Sequence, residues 1–143
     1  MTTELLKGLE EKVQAIAYPQ YPEGLYEPIK YVLEAGGKRI RPMLTLLGYN
    51  LYCKDVDRVV PIALAIELYH NHTLLHDDLM DNADIRRGRP TVHKKWNENT
   101  AILSGDTMLI MSVRLLFSTD CVRKDDILEL VVRTMNEVCE GQQ

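Results

Sequence analysis

Basic charge is in short supply in this 143-residue chain, where 17 Lys and Arg face 21 Asp and Glu for a net charge of −4. A domain built mainly to bind nucleic acid needs a net basic surface against phosphate, so no nucleic-acid partner is expected. Long hydrophobic runs are missing too. None approaches the roughly 20 residues of a membrane span, and the longest, near Val59–Ile66, is interrupted by Pro61. The first residues carry Glu4, Glu10 and Glu11 in an amphipathic pattern, unlike a signal peptide. Cysteine is scarce: Cys53, Cys121 and Cys139 lie far apart and form no CxxC pair. They read as free thiols in a reducing compartment, which sets the expectation of a cytoplasmic, non-membrane-spanning protein.

What is present suits one domain. Hydrophobic residues make up 45% and charged residues 27% of the chain, enough apolar material for a core and too much for disorder. Helical periodicity dominates. Leu5, Leu6, Leu9, Val13 and Ile16 mark one face of a first helix. Tyr18–Pro28, with three prolines and Gly24, is a connector that opens a second helix running to about Glu34. The pair Gly36-Gly37 then favours a left-handed stop. A third helix fits Pro42–Tyr52, and a long fourth runs from Val59 or Pro61 to Asp81. A fifth starts near Asn97–Thr100, and a sixth carries Ile127, Val131, Met135 and Cys139 at i+4 steps. No segment alternates with period two over a strand's length, so the spacing predicts an all-α, antiparallel helical bundle without repeats.

The charges cluster. Eight of the 17 cations fall in two patches, one holding Lys38, Arg39 and Arg41 and the other Arg86, Arg87, Arg89, Lys94 and Lys95. Between them the apolar fourth helix runs into His76-Asp77-Asp78-Leu79-Met80-Asp81, followed by Asp84. Asp77 and Asp81 are i and i+4, so their carboxylates share a face and repel unless a cation lies between them. Oxygen-only ligands of this kind suit Mg²⁺, which takes one or two carboxylates plus waters and phosphate oxygens. His70 lies two turns earlier on the same face. Gly36-Gly37-Lys38-Arg39-Ile40-Arg41-Pro42 places two flexible glycines before three cations, an arrangement that brings Lys and Arg close to a diphosphate. A second reading starts from His72 and His76, whose i,i+4 spacing could ligate a transition metal. With Asp77, His76 also resembles the paired letters of the all-α HD-type metal phosphohydrolases. That alternative leaves the GGKRIRP run unexplained.

At these residues the chain resembles the trans-isoprenyl diphosphate synthase, or polyprenyl synthetase, family. The matching segments come in family order: Gly36–Pro42, His70 with His76–Asp81, Arg86–His93, Ser104-Gly105-Asp106 and Glu140-Gly141-Gln142. The resemblance implies a helical bundle around a deep cavity, Mg²⁺ as cofactor, and condensation of isopentenyl diphosphate with an allylic diphosphate to a short- or medium-chain product. It implies Asp77 and Asp81 as catalytic metal ligands, with Asp78 as a supporting acceptor. Arg86 would hold the allylic diphosphate; Lys38, Arg41, His70 and Arg87 would hold that of isopentenyl diphosphate. Arg39 is expected to pair with a structural acid. Thr73 and His72, one turn before Asp77, with Tyr69 below, would lie on the cavity wall that limits product length.

Family members are longer and carry a second aspartate-rich motif. Residues 1–143 are therefore expected to be the N-terminal part of one synthase domain, stopping before that motif and inactive alone. Asp125-Asp126 cannot substitute for it, because these acids open a helix, where they favour the positive dipole end. The resemblance also implies a homodimer, which would cover exposed apolar faces. A non-catalytic small subunit that modulates a full-length synthase is the remaining alternative.

Overall fold

The computed structural model describes residues 2–143. Seven helices and one two-stranded hairpin follow in the order α1 (Thr2–Gln14), α2 (Glu23–Glu34), α3 (Ile40–Asn50), α4 (Val60–Met80), β1 (Ile85–Arg86), β2 (Arg89–Pro90), α5 (Val92–Lys95), α6 (Glu98–Ser118) and α7 (Lys124–Gly141). The all-α expectation holds.

The core forms where apolar stripes meet. Leu9 and Val13 of α1, Ile29 and Leu33 of α2, and Met43 and Leu46 of α3 join Leu64, Leu68 and Leu75 of α4 in one buried cluster, with α3 packed on α4 and α2 on α6. Burying such a leucine or valine contributes about 1.5–3 kcal/mol each. Leu6, on the expected face of α1, remains exposed.

The tightest seam joins α4 and α6. Ala101, Ser104, Gly105, Met108, Ser112 and Leu116 are the buried residues of α6, and four of these six are small, which lets the two helices approach closely. The serine hydroxyls add specificity. Ser112 donates to the carbonyl of Ala65 at 2.7 Å, and Ser104 to that of Leu25 at 2.9 Å. Helix α6 is the one described helix with the length and apolar composition of a membrane span, although no uninterrupted apolar run spells it out. Its buried face packs on α4, and Asp106 and Arg114 interrupt its other side.

Element boundaries depart from the sequence reading at both short helices. Helix α2 begins at Glu23 and contains Pro28, which is buried. Helix α3 begins two residues before Pro42, because a first-turn N–H has no intrahelical acceptor and its loss is tolerated. The hairpin is a correction to the purely helical reading. Ile85 pairs with Pro90 and Arg86 with Arg89 across Arg87 and Gly88, both at positive φ (52° and 75°), as a two-residue type I′ turn requires. Two-residue strands are too short to show alternation.

Helix α7 has no buried residue. Its stripe Ile127, Val131 and Met135 is half-buried, Leu130, Val132 and Val138 are exposed, and Tyr69 of α4 reaches the carbonyl of Met135 at 3.4 Å.

Candidate functional site

Helix α2 ends as the glycine pair predicts, with Gly36 left-handed at φ 71° and Gly37 at φ 153°. That turn swings the chain back over α4 and opens a cleft of about 500 Å³ lined by Gly37, Lys38, Arg41, Glu67, His70 and Arg87. Four residues from three separate segments, Lys38, Arg41, His70 and Arg87, thus meet in one concavity. Lys38 and Arg41 are exposed, and Lys38 forms no ion pair among the described residues. Arg41 Nη1 lies 3.4 Å from Nε2 of His70. Burial, and then the Arg41 charge, hold the His70 imidazole below its ordinary pKa of 6.5. At neutral pH it is therefore an uncharged donor and acceptor.

Arg87 sits at the hairpin turn and reaches back across the cleft. Its Nη1 donates to the carbonyl of Gly36, and its guanidinium lies flat against Gly37, where a Cβ would come within 3.0 Å of Nη2. Burial and the neighbouring Arg39 push the Arg87 pKa down. A cation disfavoured by its surroundings in this way gains when an anion arrives.

At the far end of α4, helical geometry continues through Asp81, whose N–H donates to the carbonyl of Asp77 at 2.8 Å. The i,i+4 relation of the two carboxylates therefore survives in the fold. Neither acid pairs with a cation among the described residues, and both crowd the negative end of the α4 dipole. Asp78 faces the other way. It is buried, and Nε of Arg86 donates to its Oδ2 at 2.7 Å. That hydrogen bond, opposed by desolvation, raises the Arg86 pKa, and its Nη groups make no other hydrogen bond among the described residues. Arg86 and Arg87 are consecutive, so one hairpin serves both the acidic end and the cationic cleft. A cavity of about 30 Å³, lined in part by Asn71, Asp78, Arg86 and Arg87, lies between them.

Against this geometry, residues 22–143 match the polyprenyl synthetase family. The chain belongs to the polyprenyl synthetase family. It is 44% identical over 123 residues to the geranylgeranyl diphosphate synthase of Methanosarcina mazei, covering 85% of this chain and 38% of that one. It is 42% identical over 139 residues to a short chain isoprenyl diphosphate synthase of Methanocaldococcus jannaschii, covering 96% and 42%. Among solved structures, the geranylgeranyl pyrophosphate synthetase of Geoglobus acetivorans superposes with a TM-score of 0.93 at 38% identity, over 99% of this chain and 47% of that one. A crystal structure of a geranylgeranyl pyrophosphate synthase gives 0.95 at 45% identity, over 100% and 44%. The chain spans less than half the length of these relatives. Membership sets aside the HD-type phosphohydrolase reading, and GGKRIRP has a place in the fold.

The polyprenyl synthetase chain also holds two supporting acids, Glu10 and Glu67, to which the sequence reading assigned no role. Arg39, left-handed at φ 47°, is fully buried and bridges two acids: Nε to Glu10 at 2.8 Å and Nη1 to Glu67 at 2.5 Å, with Nη2 also on Glu10 at 3.0 Å and on the carbonyl of Leu33 at 2.8 Å. This is the structural pairing expected of Arg39. Glu67 also accepts from Asn71 Nδ2 at 2.9 Å. The signal for Glu67 was a lone acid inside the apolar run Pro61–Tyr69; nothing singled out Glu10 from its acidic neighbours on α1. Arg89, in the second basic patch, stacks 3.9 Å over the ring of Tyr31. Lys95 does the same at 4.1 Å, so both leave the cleft.

Proposed function

We propose that this chain is the N-terminal portion of a trans-prenyltransferase that condenses isopentenyl diphosphate with an allylic diphosphate. The reading rests chiefly on one observation: Lys38, Arg41, His70 and Arg87 line a single cleft, and the helix that carries His70 ends in the unpaired Asp77 and Asp81. The relatives' names place geranylgeranyl and other isoprenyl diphosphate synthases around it.

Asp77 and Asp81 fit Mg²⁺: they are hard oxygen donors on one face, without a protein cation to neutralise them, and leave room for water and phosphate oxygens. When bound, Mg²⁺ supplies Lewis-acid neutralisation of the allylic diphosphate. Arg86, oriented through Nε by Asp78, directs its free Nη donors at the same diphosphate as negative charge grows on it. The allylic C–O bond breaks with both electrons leaving on diphosphate. In the cationic cleft, Lys38, Arg41 and Arg87 hold the second diphosphate, and His70 adds a neutral hydrogen bond. This fixes the isopentenyl double bond, whose π electrons form the new C–C bond to the allylic cation. The diphosphate released from the allylic substrate takes a proton from the adjacent carbon, which restores an alkene. The apolar wall of α4 keeps water from the cation. A second copy of the chain fits the exposed apolar faces of α6 and α7.

In the intact synthase, Lys38→Ala tests the assignment. It should raise the KM for isopentenyl diphosphate by about 10-fold, the worth of one charge-assisted contact, and leave the allylic KM unchanged. An unchanged isopentenyl KM rules out that role for the cleft.

A further inference from the structure

Beyond the aspartate pair and the cationic cleft, one more set of metal-ligating side chains converges among the described residues. His72 and His76 of α4 and Asp106 of α6 each offer one ligand atom, and the three atoms lie within 4.8 Å of one another. His76 Nε2 is 3.8 Å from Asp106 Oδ1, and the two imidazoles meet edge to face with centroids 4.5 Å apart. Donors on one tetrahedral Zn²⁺ at about 2.0–2.1 Å from the metal stand roughly 3.4 Å apart, so separations of up to 4.8 Å close by at most roughly 1.4 Å. Rotations of half-exposed side chains supply a movement of that size.

The seam is shaped for this approach. A Cβ on Gly105 would come within 2.3 Å of His76 Nε2, so only glycine lets the ring lie across α6. The carbonyl of the same residue lies 3.0 Å from His72 Nδ1. A carbonyl can only accept, so Nδ1 carries the proton and Nε2 keeps its lone pair. This outer contact is the kind that orients a ligating histidine. His76 Nε2 donates to the carbonyl of Ile102 at 3.2 Å; an ion at Nε2 replaces that contact and takes the tautomer with the proton on Nδ1. Asp106 is exposed and has no partner besides His76 among the described residues, which leaves a path for entry.

We propose that His72, His76 and Asp106 form a transition-metal site of the Zn²⁺ class that ties α4 to α6, distinct from the aspartate pair. Two imidazoles and one carboxylate prefer Zn²⁺, Co²⁺ or Ni²⁺, whereas Mg²⁺ selects oxygen donors with several waters. Water completes the coordination on the Asp106 side. The site goes beyond the proposed condensation chemistry, and its test does not depend on it.

The test is a Co²⁺ titration of the full chain, stripped by chelator and held in excess Mg²⁺, followed by visible ligand-field absorption. One Co²⁺ per chain should bind and be displaced by Zn²⁺. His72→Ala and the surface change Asp106→Asn should each weaken binding at least about 10-fold, and Asp77→Asn should leave it intact. Circular dichroism checks that each variant is folded; Asp106→Asn, on an exposed side chain, carries the test should His72→Ala not fold. Absence of Co²⁺ absorption in the parent chain, full binding by Asp106→Asn, or loss of binding in Asp77→Asn overturns the proposal. The last result would put the ion on the aspartate pair.

Discussion

Gly37 and Arg87 are matched by shape, although 50 positions separate them. The guanidinium of Arg87 occupies the space a side chain at 37 would need, with Nη2 3.0 Å from the Cβ position, and Gly37 holds φ 153°, which L side chains rarely adopt. The glycine therefore sets where the arginine points.

Gly37→Ala should misdirect Arg87 and weaken the grip on the second diphosphate. A lost hydrogen bond to a charged group amounts to about 1.5–3 kcal/mol, hence about 10- to 100-fold in isopentenyl diphosphate KM. Steady-state kinetics of the intact synthase checks this, and an allylic KM that rises equally would contradict the separation of the two subsites.

Arg39 is fully buried against Glu67 and Glu10, so its removal strands a buried carboxylate. Arg39→Met should cost about 3–5 kcal/mol in denaturant unfolding, and adding Glu67→Leu should return much of it, since an apolar pair avoids the desolvation of ions. A single variant as stable as the parent excludes this role.

The same ion pair gives an acid limb to stability. The Arg39 hydrogen bond leads the causes that lower the Glu10 pKa from its ordinary 4.5, with burial opposing. The folded chain thus holds that proton less tightly than the unfolded one. The contribution is complete above pH 4.5 and is lost as pH falls through the lower folded value. In Arg39→Met, unfolding measured against pH should show a smaller loss over that window.

His70 titrates in the opposite setting. Burial first, and the Arg41 charge second, depress its pKa below 6.5, so stability drops as pH falls from 6.5 through the folded value. Histidine NMR titration should place His70 below 6.5 in the free chain. Inorganic diphosphate, by adding negative charge to the cleft, should raise it. A His70 pKa unmoved by diphosphate argues that the anion binds elsewhere.

Long elements were legible because their apolar periodicity is long. Helix α4 ends within a residue of expectation, and Asn97 caps α6 by accepting from the Thr100 N–H at 2.8 Å. The site's cations were legible for another reason: glycines and charges stand together in short runs. The hairpin escaped because pairs such as Ile85-Arg86 cannot alternate. The fit of Gly37 to Arg87, and of Gly105 to His76, escaped because tertiary proximity leaves no local trace. Glu67 is a lone acid among apolar residues, a signal the sequence reading passed over, and its partner Arg39 lies in another helix's cap, 28 residues away.

The central claim is that Asp77 and Asp81 work with the cationic cleft in Mg²⁺-dependent condensation. Incorporation of labelled isopentenyl diphosphate into product, by the intact synthase with Mg²⁺ and farnesyl diphosphate, measures it directly. Asp77→Ala should fold normally by circular dichroism and lose at least about 100-fold in turnover. Near-normal turnover by that variant would contradict the account.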